Sequence, residues 1–302
     1  MIATTLFLFV PFTAVAYVAL CLATGNFHLR ELGLLAVFLT LSLLGTGLGF
    51  HRYFAHRSFT ASRGLKIALG ILGCAGGLGT ISWFAAIHRR HHRFTDTEKD
   101  PHSPHPSEPD SNFLHEIWMS AFGFSYKFAL YALHLAKPET DTGGISRDFR
   151  ASVRDLTSDP DIRWIEQRYT LWILVFFFIP GVLLYLATGR SEDFWSGLIW
   201  GGVARMGCNQ MIFGFINVAA HRRGPRPYAS NDESRNLYWF APFSGGESLH
   251  NNHHAFPWTA KSGLEWWQID VNYYFLVLFV KLGWASDARV PTRAQLARKA
   301  AK

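Results

Sequence analysis

The chain has 302 residues, 49% of them hydrophobic and 16% aromatic, with a formal net charge of +7 and 14 histidines. That length suits one large domain or two small ones, and the near-neutral mean hydropathy of +0.08 suits strongly apolar runs alternating with basic, polar loops. Cys21, Cys74 and Cys208 stand alone in apolar segments with no CxxC partner, which excludes a disulfide framework and a thiolate metal site and leaves them as small buried hydrophobes.

Four runs carry no Asp, Glu, Lys or Arg: Ile2–Ala23, Leu32–Phe50, Ile67–Ile87 and Tyr169–Gly189, of 22, 19, 21 and 21 residues. About 20 apolar residues cross a bilayer core. A fifth run, Phe194–Ala220, is interrupted only by Arg205, Asn209, Gln210 and Asn217. The first run lacks a basic leader and a small-residue cleavage site, so it reads as a span rather than a removed signal. The 96–110 segment is rich in Pro, His and acid and reads as irregular loop. Val271–Val280 is apolar but too short to span, and predicts an interfacial or core helix; the basic, alanine-rich tail after Asp287 predicts a surface helix.

Charge distribution favours a membrane over nucleic acid. Fifteen of the 29 Lys and Arg residues lie between His51 and Arg168, and eleven lie after His221. An excess of this kind marks the cytoplasmic side of a membrane protein.

Nine histidines fall into four groups: His51 and His56; His88, His91 and His92; His221, with Asn217 four residues before it; and His250, His253 and His254. Each lies where an apolar run ends or a polar loop begins. If Ile67–Ile87 crossed the bilayer, the first two groups would sit on opposite faces and could share no metal. Its glycines at 70, 73, 76, 77 and 79 weaken a free helix and favour close packing. The run is therefore predicted not to cross. Four crossings, at about 2–23, 32–50, 169–189 and 194–220, then leave one all-α membrane domain, 1–302, with a cytoplasmic helical cap of 51–168 and 221–302.

On a helix, residues three or four apart share a face, so His88, His91 and His92 are predicted to converge on one point, as are His250, His253 and His254. Five residues of α-helix turn through about 500°, which would set His51 and His56 about 140° apart. Either the helix ends between them or they serve different metals; the second fits a dinuclear centre. Imidazole suits Fe, Zn or Cu, a single structural zinc saturates at four ligands, and nine histidines imply two ions. Redox use favours iron, with carboxylates such as Asp100 and Glu247 orienting the rings. His28, His102, His105, His115 and His134 lack such spacing and read as ordinary histidines.

These motifs resemble those of the integral-membrane fatty acyl desaturases of the stearoyl-CoA, or Δ9, type. His51–His56 is similar to the HxxxxH box, His88–His92 with Asp100-Pro101-His102 to HRxHHxxxxxxxDPH, Asn217–His221 to NxxxH, and Gly246–Pro257 to GExxHNxHHxFP. The likeness covers about His51 to Pro257. It implies a di-iron centre held by His51, His56, His88, His91, His92, His221, His250, His253 and His254, with Asn217 reaching one iron through water. It implies an O2-dependent desaturase that places a cis double bond in a saturated acyl chain, Δ9 by analogy, held bent in a tunnel whose depth sets the position attacked. Tyr53, Phe54, Trp83, Phe84 and Trp258 are candidate tunnel walls. Animal acyl-CoA desaturases tend to carry Arg-Asp before the second box, where this chain has Ala86-Ile87, so the carrier stays open between CoA, another acyl thioester and a membrane lipid. Only 48 residues follow His254, too few for a fused cytochrome b5, so electrons would come from a separate ferredoxin or cytochrome b5, for which a basic face suits an acidic partner.

Related hydroxylases and acetylene-forming enzymes of the same kind remain as alternatives, with the NxxxH group favouring desaturation. A histidine-rich metal transporter would line its spans with ionisable groups, whereas only Arg205 is charged inside one.

Overall fold

The computed structural model describes residues 10–97, 99–102 and 151–301, together with Trp118 and Gly123. His105, His115, His134, most of the 96–110 loop and the start of the first apolar run lie outside the described residues.

The described chain is mostly helical. Helix α1 (Val10–Thr24) is followed by α2 (Leu29–Leu43), which continues without a break as a π-helical stretch, Leu44–Ala55. After a short loop come α3 (Arg63–Ala75) and α4 (Ile81–Phe94). The short helices α5 (Arg154–Thr157) and α6 (Pro160–Glu166) precede α7 (Tyr169–Thr188). Helix α8 (Ser191–Gly197), a π turn at Leu198–Ala204 and α9 (Arg205–Ala219) form one continuous rod. Three further helices, α10 (His250–Ala255), α11 (Val271–Lys281) and α12 (Arg293–Lys299), complete the chain.

Among the described residues, two helical stretches are long and apolar enough to cross a membrane: Leu29–Ala55, 27 residues, and Tyr169–Thr188, 20 residues. On α7 most apolar side chains point outward, with Leu183 and Leu186 50% and 72% exposed, while Ile173, Pro180 and Leu184 form a buried face. Such a helix is at home in lipid. Helix α1 is apolar but 15 residues long as described, and the rod from α8 to α9 carries three polar side chains in its middle.

The third apolar run is two helices rather than one. Gly77 (φ 76°) and Gly79 (φ 93°) turn the chain between them, a backbone conformation open to glycine without steric cost. Ser62 caps α3 by accepting from Leu65 N, and Thr80 caps α4 by accepting from Trp83 N. Glu166 accepts from Ser82 N at 2.6 Å. The end of α3 and the turn leave carbonyls without helical partners. Three side chains of α9 meet them in order: Arg205 donates to Ala75 O (2.5 Å), Asn209 to Gly76 O (3.0 Å) and Gln210 to Gly77 O (3.0 Å). Tyr169 Oη accepts from Gly79 N at 3.2 Å. The polar interruptions in the fifth run thus hold the break in the third.

Helix α3 lies directly on the π stretch. A Cβ at Gly45 would sit 2.2 Å from the Leu72 carbonyl carbon, and one at Gly73 would sit 2.2 Å from the Phe50 ring. The expected close packing by glycine is realised here. Phe50, Phe54, Cys74, Ile81, Phe84 and Met206 continue this contact into one buried cluster.

A two-residue antiparallel ladder, Thr60↔Ser286 and Ala61↔Ala285, ties the end of the chain to the loop before α3. Helix α11, short as its sequence suggests, buries Asn272 and Leu276. Helix α12 lies at the surface with no buried residue.

Candidate metal centre

Nine imidazoles meet in two groups. His51, His56, His88, His92 and His253 form one; His91, His221, His250 and His254 form the other. Within each, the ring nitrogens lie within 4.8 Å of one another. All nine sequence-selected histidines enter one group or the other.

The way they are shared out differs from the spacing argument, for two geometric reasons. First, His56 N donates to His51 O at 3.1 Å, an i→i+5 bond. The wider π turn brings the fifth residue round nearly to the face of the first. His51 and His56 therefore stand in one group, with ring centroids 4.9 Å apart, instead of serving two. Second, neither HxxHH set converges on one point. His88 and His92, four apart, go to the five-ring group, and the adjacent His91 goes to the other. His250 and His254 likewise pair, and His253 crosses over. Neighbours on an α-helix differ by about 100°, so one turn with two adjacent histidines addresses two points.

His221 lies beyond the end of α9, after the Ala220 cap, and its Nε2 comes within 3.0 Å of His250 Nε2. Helix α10 has six residues, all buried, too short to persist alone. Its two asparagines splint it. Asn251 accepts from Tyr228 N and donates to Tyr228 O, while Asn252 donates to Ser262 O and Gln268 Oε1 and accepts from Asn236.

Carboxylates stand behind four rings. His91 Nδ1 donates to Asp100 at 3.0 Å, His254 Nδ1 to Asp232 at 2.8 Å, His221 Nδ1 to Asp96, 3.2 Å from its nearer oxygen, and His51 Nδ1 to Glu247. Glu247 also receives Arg52 Nε (3.0 Å) and Asn272 Nδ2 (2.9 Å). Asp96 and Asp232 carry no sequence signal: each is a lone loop acid outside any spacing pattern. Asp96 takes a left-handed backbone (φ 59°), which Asp tolerates better than most residues, and accepts from Glu233 N at 2.7 Å. His102, read from sequence as an ordinary histidine, stacks on His91 at 4.2 Å and forms a further potential metal-binding group with His91 and Asp100.

A proton fixed on Nδ1 leaves the lone pair on Nε2. Nε2 atoms face each other at 2.9 Å (His51–His253), 2.8 Å (His56–His88), 2.8 Å (His92–His253) and 3.3 Å (His91–His254). Where both rings carry their proton on Nδ1, as the carboxylates dictate for His91 and His254, the facing lone pairs repel unless a cation lies among them. Around an ion with bonds of about 2.1 Å, adjacent nitrogens stand about 3 Å apart. The all-nitrogen donor set and its spacing fit a metal ion in each group.

Protonation states agree with that use. Burial, reinforced by neighbouring imidazoles, pushes His56, His88, His92, His250, His253 and His254 well below the ordinary value of 6.5, so they are neutral near pH 7. Burial alone would lower His91 as well, but Asp100 outweighs it and raises the ring. Burial works against ionised Glu247, yet Arg52 and His51 hold its carboxyl at about 2.

A narrow apolar cavity reaches this centre. His51, His88, His250, Asn217 and Glu247 line it together with the apolar Leu78, Phe84, Ile87, Phe213 and Ile216. Of the aromatic residues singled out by sequence, Phe84 alone lines it. Tyr53 and Phe54 face a separate charged cleft with Arg63, Lys66 and Asp161, Trp83 is buried in the core, and Trp258 packs on Phe256. Leu78, Ile87 and Phe213 went unnoticed because isolated apolar residues carry no pattern.

A profile of the fatty acid desaturase family matches residues 31–274. The chain belongs to this family and is an oxidoreductase. It is 36% identical over 272 residues to a hex-5-enoyl-(acyl-carrier protein) acetylenase of Moorena producens, covering 89% of this chain and 80% of that one. It is 34% identical over 284 residues to Delta-9 acyl-lipid desaturase 1 of Arabidopsis thaliana (93% and 83%) and 32% identical over 257 residues to an acyl-CoA C20 Delta5-desaturase of Anemone leveillei (85% and 73%).

Proposed function

We propose that the chain is a four-span membrane enzyme that introduces a cis double bond at the Δ9 position of a saturated acyl chain. The nine grouped histidines would be the ligands of two iron ions, with Asn217 joining the four-histidine position through water. The observation that carries this reading is the apolar cavity lined by rings of both groups. The Δ9 position is supported by the acyl-lipid relatives at 34% identity.

When bound, the iron pair would supply the O2-dependent oxidation that removes two hydrogens from adjacent methylenes; with these, two donor electrons and two protons, O2 leaves as two waters. The protein's residues do the rest. Leu78, Phe84, Ile87, Phe213 and Ile216 hold a chain with no polar handle and keep water from it, and position alone selects among identical methylenes. Glu247, Asp96, Asp100 and Asp232 fix the rings that face the substrate. The histidines would lie at the cytoplasmic face, in a cap of 51–168 and 221–302, where a separate ferredoxin or cytochrome b5 can dock.

Acetylene formation is a second reading, favoured by the 36% identity to the acetylenase. One experiment separates them. Iron-loaded protein in lipid is given a reductase chain and C16 or C18 substrates as CoA thioester, carrier-protein thioester or phospholipid. Loss of two hydrogens from a saturated substrate is expected by mass spectrometry; loss of four from a saturated substrate, or of two from a monounsaturated one to give an alkyne, supports the second reading, and gain of one oxygen would defeat both.

A further inference from the structure

The two histidine groups differ in what stands behind them. In the four-histidine group three of four Nδ1 atoms donate to carboxylates: His91 to Asp100, His221 to Asp96 and His254 to Asp232. In the five-histidine group, among the described residues, His51 alone does so, to Glu247. Glu247 is itself paired with Arg52 at 2.8 Å, and Arg52 pairs with Asp270 at 2.9 Å. Arg52 thus offsets charge behind the five-histidine group, whereas in the four-histidine group three carboxylates, Asp96, Asp100 and Asp232, stand directly on rings.

A carboxylate behind Nδ1 makes Nε2 a stronger donor. Negative charge in a dry site acts over short distances with little screening. Both effects favour the more highly charged ion at the four-histidine position. Building on the two-iron reading above, we propose that Asp96, Asp100 and Asp232 make the two positions electronically unequal, so that the first electron withdrawn from a ferrous pair leaves the four-histidine position. One electron passes to the external oxidant, one ferrous ion becomes ferric, and no bond to the protein breaks. Electrons returning from the donor then fill the five-histidine position first.

The test uses the full-length protein, purified in detergent and loaded with 57Fe, in a redox titration followed by the electron paramagnetic resonance of the half-oxidised pair and by Mössbauer spectra. Asp100→Asn and Asp232→Asn keep a hydrogen-bond acceptor and lose the charge. Each is expected to retain two irons per chain and to weaken the preference for ferric over ferrous ion by about tenfold, an upward shift of about 59 mV for a one-electron couple. Asp232→Glu should restore the original first potential. Glu247→Gln should move the second potential and leave the first in place. The inference is overturned if Asp100→Asn and Asp232→Asn leave the first potential unmoved, if Glu247→Gln moves it more than they do, or if Asp232→Glu shifts it as far as Asp232→Asn. Iron lost from the Asn variants would show that the acids orient rings without tuning them, and would overturn it also. Wild-type protein that binds fewer than two irons per chain defeats the two-iron reading, and this inference with it.

Discussion

Two buried polar regions of this molecule solve opposite problems. Around the turn at 76–80, Asn209 and Gln210 each donate to one main-chain carbonyl and Arg205 donates to Ala75 O as well as to Gly201 O and Phe176 O, so that a break between two apolar helices keeps its hydrogen bonds. In the histidine groups four outer nitrogens are bonded to carboxylates while the inner nitrogens of nine rings are brought together on two points. The first region uses polar atoms to hold shape. The second uses shape to hold polar atoms in an arrangement unfavourable without a cation. Buried polar groups that serve stability are matched; those that serve chemistry are held poised.

The comparison makes different demands on variants in each region. The largest expected effect is at the centre: His253→Ala should lower iron content from two per chain to at most one and abolish turnover, with the protein still inserted in membranes. Metal analysis and product assay check this, and retained desaturation would remove the metal reading. Arg205→Met should act the other way round, costing about 1.5–3 kcal/mol for the lost charged hydrogen bond in thermal unfolding, while the folded fraction keeps its iron. A parallel loss of iron at unchanged stability would show that the two regions are not separable. Leu78 belongs to both, since it lies in the turn and lines the cavity. Leu78→Trp is expected to shift product distribution towards shorter acyl chains by about tenfold, on the scale of a changed apolar contact in a specificity pocket, with iron content unaltered.

The last effect is in pH, and it concerns the metal-free protein. The unfolded imidazoles take up protons below 6.5, whereas burial keeps His88, His92 and His253 neutral to lower pH. The unfolded state therefore binds more protons in that window, and the stability of the metal-free protein should fall as pH drops below 6.5. Added iron should raise stability at neutral pH by mass action. Denaturant titrations with and without iron measure both, and a metal-free protein of constant stability between pH 7 and 5 would contradict the burial argument.

Much of this was legible in the sequence because histidine spacing and charge-free runs are periodic signals. The nine histidines and the close packing of the glycine-rich third run follow from them; its break into two helices does not. What was not legible depends on departures from ideal geometry. The His51–His56 spacing misleads only if Leu44–Ala55 is assumed to be α-helical, and its π turn has no signature beyond alternating glycines. The division of each HxxHH set needs two target points, which one helix cannot reveal. Asp96 and Asp232 are single acids on loops whose partners are 125 and 22 residues away. Asn251 and Asn252 look like motif letters until their partners on other loops are seen.

The reach of the four-histidine group has a consequence for biogenesis. His91 and His254 are 163 residues apart, and His51 and His253 in the other group are 202 apart. Neither group exists until the last fifth of the chain has left the ribosome. Contacts of such separation form late because the chain entropy must be spent first. The ladder from α9 to the 76–80 turn closes earlier in synthesis, before α10 is made. Ions held by these groups would therefore enter late in assembly, and would join α10 to the π stretch and α4.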